Sequence, residues 1–225
     1  MIKKSRVTKE TDIAVKLNLY GTGSAKIDTG IGFFDHMLDA FARHSLIDLE
    51  LTCKGDLHID AHHSVEDSGI VLAQALNEAI YPIKGIERYG NATVVMDEAS
   101  VSCDIDLSNR AYLVYDLPLN SGEINGFDLE LVEEFFKSVA FNLPLNLHLT
   151  FNRGTNRHHI AEAAFKAFAV ALRRAVTPNS RIGVPSTKGV LWFWVSAIEG
   201  LCMVSLPTTW SLSDEFHIFW YRMHT

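Results

Sequence analysis

The sequence predicts an α+β protein built from two similar half-domains, and three observations carry that reading. Segments with apolar residues at every second position alternate with segments in which they recur every third or fourth. The order of these segments in residues 1–80 is repeated in the second half. Individual residues also match: Leu49-x-Leu51-Thr52 aligns with Leu147-x-Leu149-Thr150 at an offset of 98, and His62-His63-x-x-Glu66 with His158-His159-x-x-Glu162 at 96. The helices that follow share Ala73-x-Ala75-Leu76-x-x-Ala79 and Ala169-x-Ala171-Leu172-x-x-Ala175, so one two-residue gap reconciles the whole repeat.

In chain order, Ile13, Val15, Leu17 and Leu19 alternate as a half-buried strand, and Gly21-Thr22-Gly23 then supplies a turn, which predicts a hairpin. Between Phe33 and His44 the spacing becomes helical, with Phe34, Met37, Leu38 and Phe41 on one face. Ile47, Leu49, Leu51 and Cys53 return to period 2, and a helix from His62 to Ile80 is stopped by Pro82. This half reads β-β-α-β-α. The second half gives strands at Asn91–Met96, Val101–Leu107 and Ala111–Asp116, then a helix capped by Asp128 that reaches Asn142. Leu145, Leu147, Leu149 and Phe151 alternate as a strand, and a last helix covers His158–Val176 before Pro178.

With 225 residues, 48% apolar and 21% charged, the chain can bury a substantial core, which excludes a disordered segment. Twenty Lys and Arg against 27 Asp and Glu give a net charge of −7, which argues against a general nucleic-acid binder. Cys53, Cys103 and Cys202 are odd in number and widely spaced, so no disulfide framework is expected, and a reducing cytoplasmic location follows. The N-terminal MIKKSRVTKETD lacks the apolar core of a signal peptide.

Histidine is the unusual entry: ten in all, eight of them between His36 and His159. At this composition an HHxxE motif arises by chance about 0.02 times in such a chain, so two copies point to function. A lone helical histidine is more often a solvated or core residue than a ligand; the doubled motif reverses that balance. Adjacent histidines stand about 100° apart on a helix, so His62 and His63 serve two centres more easily than one. Glu66 and Glu162 each share a face with one histidine of their pair. Imidazole and carboxylate donors suit Mn, Fe, Zn or Ni, with Mn favoured by the carboxylates. At offset 98, His36 lies opposite Glu134, so each half would offer one upstream ligand plus an HHxxE and leave coordination positions open for catalysis. Arg88, Arg110, Lys166 and the loop Ser186-Thr187-Lys188-Gly189 fall at turns or beside the motif. Singly each reads as a solvated charge, and together they would clamp one phosphate.

These residues resemble the imidazoleglycerol-phosphate dehydratase family. The resemblance rests on Thr29-Gly30-Ile31-Gly32-Phe33-Phe34-Asp35-His36-Met37-Leu38, Gly55-Asp56-Leu57-His58-Ile59-Asp60, Asp97-Glu98-Ala99, Asp106-Leu107-Ser108, both HHxxE motifs and Pro185-Ser186-Thr187-Lys188-Gly189-Val190-Leu191. It implies a duplicated fold like domain 2 of ribosomal protein S5, with helices packed between two four-stranded sheets, over residues 1–191. The half-repeats would span 6–84 and 85–178, followed by a substrate loop at 179–191. It further implies a homo-oligomer of 24 subunits assembled from trimers, with metal bound between subunits. The implied ligands for two Mn ions per active site are His36, His62, His63, Glu66, Glu134, His158, His159 and Glu162. Substrate contacts would be Glu10, His44, Arg88, Arg110, Lys166, Ser186, Thr187 and Lys188, and the catalytic positions Glu10, His63 and Glu162. The expected reaction is dehydration of a small phosphorylated imidazole substrate through a metal-bound imidazolate, with Glu10 as acid or base.

Three stretches depart from the family pattern: Ala40, Ala61 and Asn109-Arg110-Ala111. Asn109 is an easy replacement for glycine in a turn. Residues 192–225 form a further departure, an apolar tail holding all four tryptophans; Glu199 and Pro207 interrupt it, which argues against a membrane span. Two alternatives stay open: a catalytically impaired metal-dependent shell of the same family, and a di-metal hydrolase.

Overall fold

A computed structural model describes residues 1–188; the tail at 192–225 lies outside the described residues. The first half contains β1 (Ile2–Val7), β2 (Thr11–Asn18), β3 (Ala25–Asp28), α1 (Gly32–Ser45), β4 (Asp48–Gly55) and α2 (His62–Ile80). The second contains β5 (Tyr89–Met96), β6 (Ala99–Asp106), β7 (Tyr112–Asp116), the short β8 (Glu123–Ile124) and β9 (Phe127–Asp128), α3 (Leu131–Asn142), β10 (Asn146–Arg153) and α4 (Arg157–Ala175). No described helix is long and apolar enough to cross a membrane.

The duplication extends to topology. One sheet is ordered β1-β2-β4-β3 and the other β5-β6-β10-β7, each with two antiparallel pairings and one parallel pairing. Leu17 faces Leu49 in the first sheet as Ile105 faces Leu147 in the second, separations of 32 and 42 residues. The ten extra residues of the second half accommodate the β8–β9 hairpin. Its Asn125-Gly126 turn, with φ of 52° and 77°, has the left-handed backbone that a two-residue hairpin requires.

Two expectations are corrected here. β2 and β3 do not form a hairpin, because β4 inserts between them and pairs antiparallel with β2 and parallel with β3. The Gly21–Gly23 segment instead passes over the end of α1: Gly23 has φ of 81°, and a Cβ there would stand 3.0 Å from the Arg43 carbonyl. The N-terminal stretch, polar in sequence, adds β1, whose register against β2 runs from Ile2↔Leu17 to Val7↔Asp12. Only its Ile2 and Val7 are apolar, too few for an alternation signal.

The helices occupy the space between the sheets. α1 and α2 pack on the first sheet and α4 on the second, while α1 meets α4 and α2 meets α3 across the halves. Aromatic rings cement these crossings: Phe41 of α1 stacks on Phe168 of α4 at 5.4 Å, and Phe34 of α1 meets Phe135 of α3 edge-on at 5.5 Å. Gly69 sets the α2–α3 distance, since a Cβ there would meet the Ser138 side chain at 3.0 Å. Helix caps differ from expectation at α3, where Glu130 takes the cap position and Asp128 accepts from its amide at 3.3 Å. Asn156 caps α4 by accepting from the amides of His158 and His159.

Asp48, at the head of β4, accepts from the amides of Thr22 at 2.8 Å and Ser24 at 3.0 Å, which pull its pKa down to about 2. A carboxyl depressed in the folded state stabilises above its unfolded pKa, and that contribution is lost as pH falls through the folded value. Asp48→Asn is therefore expected to lower stability at pH 6 by about 1 kcal/mol, the pKa effect being discounted for the solvent around this surface group. The gap from wild type should close between pH 4 and pH 2, and urea titrations across that range measure it.

Candidate metal and anion site

α2 and α4 each begin with the HHxxE motif, so the motif sits at a helix entrance. The side chains then divide as helical geometry demands. His158 Nε2 lies 3.1 Å from Glu162 Oε2, one turn on, and His62 Nε2 lies 3.9 Å from Glu66 Oε2. His63 and His159, turned away, are held elsewhere. His63 Nδ1 is 3.0 Å from Asp56 Oδ2, and His159 Nδ1 is 2.8 Å from Glu98 Oε2.

One group converges. His36 Nε2 is 3.4 Å from Glu162 Oε2, and the donor atoms of His36, His158 and Glu162 all lie within 4.8 Å of one another. His36 belongs to the first half and the other two to the second, so the upstream histidine joins the motif of the opposite half. The contact follows from α1 packing on α4. Lys166 Nζ donates to the second oxygen of Glu162 at 2.7 Å. Burial acts to raise the Glu162 pKa, but Lys166 and His36 outweigh it, and the carboxylate is held below its ordinary range. Burial, reinforced by repulsion from Lys166 and Arg173, lowers the pKa of His44 and keeps that ring neutral at neutral pH.

The other sequence-predicted ligands lie apart from this group. Glu134 on α3 is 3.3 Å from Lys137, and His62 with Glu66 forms a two-donor pair. Glu10, in the turn between β1 and β2, places Oε1 4.0 Å from His63 Nε2.

A cavity of about 840 Å³ gathers Arg88, Ser108, Arg110, Ser186, Thr187 and Lys188, all but Ser108 of them singled out in sequence as anion contacts. Lys166 and His44 are not among its lining residues. Arg88 is already committed: Nε and Nη2 donate to Asp106 at 2.7 and 3.1 Å, and Nη1 donates to the Pro185 carbonyl at 2.7 Å. Its backbone is left-handed, with φ of 72°, a costly conformation for a side-chain-bearing residue. The guanidinium joins this segment to the 185–188 loop through the Pro185 carbonyl. Arg110 is exposed, and its hydrogen bonds among the described residues are made by the backbone.

The departures acquire physical readings. Asn109 has φ of 58°, the left-handed conformation for which it suits a glycine position. Ala61 caps α2 without a side-chain bond, and Asp60 supplies one instead by accepting from the His62 amide at 2.8 Å. Ala40 is buried in the core on α1. Sequence reasoning gave no role to Asp56 or Asp106, although their loops stood in the quoted motifs; a carboxylate a few residues from each ligand was the available signal.

Known proteins resemble the chain in sequence and in fold. The family model for imidazoleglycerol-phosphate dehydratase matches residues 29–172. The chain is 70% identical to the imidazoleglycerol-phosphate dehydratase of Sulfurovum sp. (strain NBC37-1) over 191 residues, 85% of this chain and 100% of the relative. It is 64% identical to that of Campylobacter concisus over 85% of this chain and 98% of the relative. The crystal structure of the Staphylococcus aureus enzyme aligns with a TM-score of 0.71 and 39% identity, covering 79% of this chain and 99% of that one. That of the Pyrococcus furiosus enzyme gives 0.73 and 41%, covering 84% and 100%.

Proposed function

Because the chain belongs to the imidazoleglycerol-phosphate dehydratase family, we propose that it removes water from D-erythro-imidazole glycerol phosphate to give imidazole acetol phosphate in histidine biosynthesis. The observation that carries this reading is the convergence of His36, His158 and Glu162 within 4.8 Å. Two imidazoles and a carboxylate make a donor set that fits a borderline divalent ion such as Mn and leaves positions open for substrate. His62 with Glu66, and His63, His159 and Glu134, would contribute to the two Mn ions of each site. As each is short of a full coordination set in one chain, the proposal includes completion by neighbouring copies in the 24-subunit assembly of trimers that the family resemblance implies. Metal bound at the substrate's ring nitrogens would favour loss of the ring N–H proton, leaving electron density on the ring to help expel the hydroxyl.

The chain's own residues do the rest. The substrate loses the hydroxyl on its ring-attached carbon and a proton from the neighbouring carbon, together one water, and the resulting enol gains a proton at the ring-attached carbon and gives up its hydroxyl proton to become the ketone. That C–H has no adjacent carbonyl to acidify it, so a positioned carboxylate alone faces a high barrier. Glu10 carries the proton, and its place beside His63 supports this assignment. Arg110, Ser186, Thr187 and Lys188 hold the phosphate, while Arg88 anchors their loop through the Pro185 carbonyl. Lys166 balances the charge of Glu162, and His44, kept neutral, offers a hydrogen bond without repelling a cation. A cytoplasmic location is part of the proposal, supported by the free, buried Cys53 and Cys103.

The deciding experiment incubates the protein with Mn and substrate, with and without chelator, and follows acetol phosphate. Product formed only with metal supports the reading; a metal-loaded 24-subunit particle without turnover would instead identify an impaired shell. Chelation is expected to abolish turnover and reduce the particle size, which light scattering measures. Arg88→Lys keeps the charge but loses the paired bond to Asp106, so KM should rise about tenfold, with kcat changed less. Steady-state kinetics with varied substrate separates the two.

A further inference from the structure

We propose that Asp56 and Glu98 are positioning residues that fix the tautomers of His63 and His159, holding the ring proton on Nδ1 and presenting a bare Nε2 to a divalent metal. The inference rests on the metal-dependent reading above and names residues which that reading leaves without a role.

The second histidine of each motif has the same surroundings. Nδ1 meets a carboxylate oxygen, at 3.0 Å for His63 with Asp56 and 2.8 Å for His159 with Glu98. Nε2 has a carboxylate only at 4.0 Å (Glu10) and 3.8 Å (Asp97), beyond hydrogen-bond reach. An ionised carboxylate only accepts, so the imidazole must donate from Nδ1, and in the neutral ring the lone pair is then on Nε2.

This likeness is not inherited from the duplication. The repeat places Asn152, Arg153 or Gly154 opposite Asp56, depending on where the two-residue gap falls, and none carries a carboxylate. A side chain at Gly154 would strike Ala99, with Cβ 2.9 Å from the alanine Cβ. Glu98, at the β5–β6 turn, supplies the missing group from a different part of the fold. Two unrelated loops delivering the same bond to equivalent histidines point to a constraint on the histidines themselves.

Both residues are anchored, Asp56 through its backbone and Glu98 through one carboxylate oxygen. The Asp56 amide donates to the Glu10 carbonyl at 3.1 Å, and its carbonyl accepts from Ile59 at 2.8 Å. Glu98 Oε1 accepts from the amides of Thr155 at 3.2 Å and Asn156 at 2.8 Å, which leaves Oε2 to face His159. The two sites therefore respond differently to amides. In Asp56→Asn the amide oxygen can still face His63 Nδ1, because both Asp56 oxygens lie within 3.3 Å of it and the described backbone claims neither. In Glu98→Gln the single oxygen is taken by the two backbone amides, and the NH₂ group turns toward His159, favouring the tautomer that protonates Nε2.

The test titrates chelator against the Mn-loaded full-length protein and records the free Mn at which half the metal is lost. Asp56→Ala and Glu98→Gln are expected to weaken Mn retention by about 10- to 100-fold, and Asp56→Asn by about threefold or less. Equal loss in Asp56→Asn and Asp56→Ala, or unchanged retention in all three variants, overturns the proposal. Magic-angle-spinning NMR of metal-free wild-type protein labelled with [15N]histidine tests it without altering either carboxylate. Signals absent from the spectra of His63→Gln and His159→Gln should be of the Nδ1–H form, and the Nε2–H form would overturn it. If the retention pattern holds while wild type shows no dehydration, the functional reading fails and the positioning role stands.

Discussion

Replacing Glu162 by glutamine is expected to eliminate turnover, lowering kcat/KM by roughly 10³-fold or more, and to strip metal from the site. This carboxylate is where the converging groups meet: Oε2 faces His36 at 3.4 Å and His158 at 3.1 Å, and Oε1 takes the Lys166 ammonium at 2.7 Å. Removing its charge leaves Lys166 without a counterion and removes the only anionic member of the three-donor group. Metal content by mass spectrometry, beside steady-state rates, checks the result. Wild-type metal content and rate in Glu162→Gln would remove the group from the active site.

Glu10→Gln is expected to keep both metal and assembly while losing about 10²- to 10³-fold in kcat, the usual scale for a general acid or base. Its side chain is 55% exposed in the β1–β2 turn, so the fold loses little. Its oxygen is 4.0 Å from His63 Nε2, close enough to serve a reacting group beside that nitrogen. Glutamine preserves shape and cannot carry a proton, so a selective fall in kcat separates proton transfer from binding. Full activity in this variant, with metal and particle size unchanged, would assign the proton to another residue.

Local signals account for what was legible. The helix over His62–Ile80 is read from periodicity and Pro82 and matches α2 at both ends. The β8–β9 hairpin was missed although Asn125-Gly126 announced it, because strands of two residues show no alternation. β1 gives no periodic signal because both of its faces carry charge and its two apolar residues, Ile2 and Val7, lie on opposite faces. Within the site, the residue types of the basic cavity are legible in sequence, but the engagement of Arg88 by Asp106 is not, since the two are joined across strands.

The α+β class, the duplication, the doubled HHxxE and the basic loop are legible in the residues alone, because each is written in spacing along the chain. Packing between distant segments sets β4 between β2 and β3, joins His36 to the motif of the other half, and brings Asp56 and Glu98 each to a histidine. Those outcomes depend on which faces bury against each other. Phe41 stacks on Phe168 and Phe34 meets Phe135 edge-on across the halves, and this packing of α1 on α4 and α3 carries His36 to Glu162. Burial is non-directional and acts between residues far apart in sequence, so no local period records which helix a given face will choose.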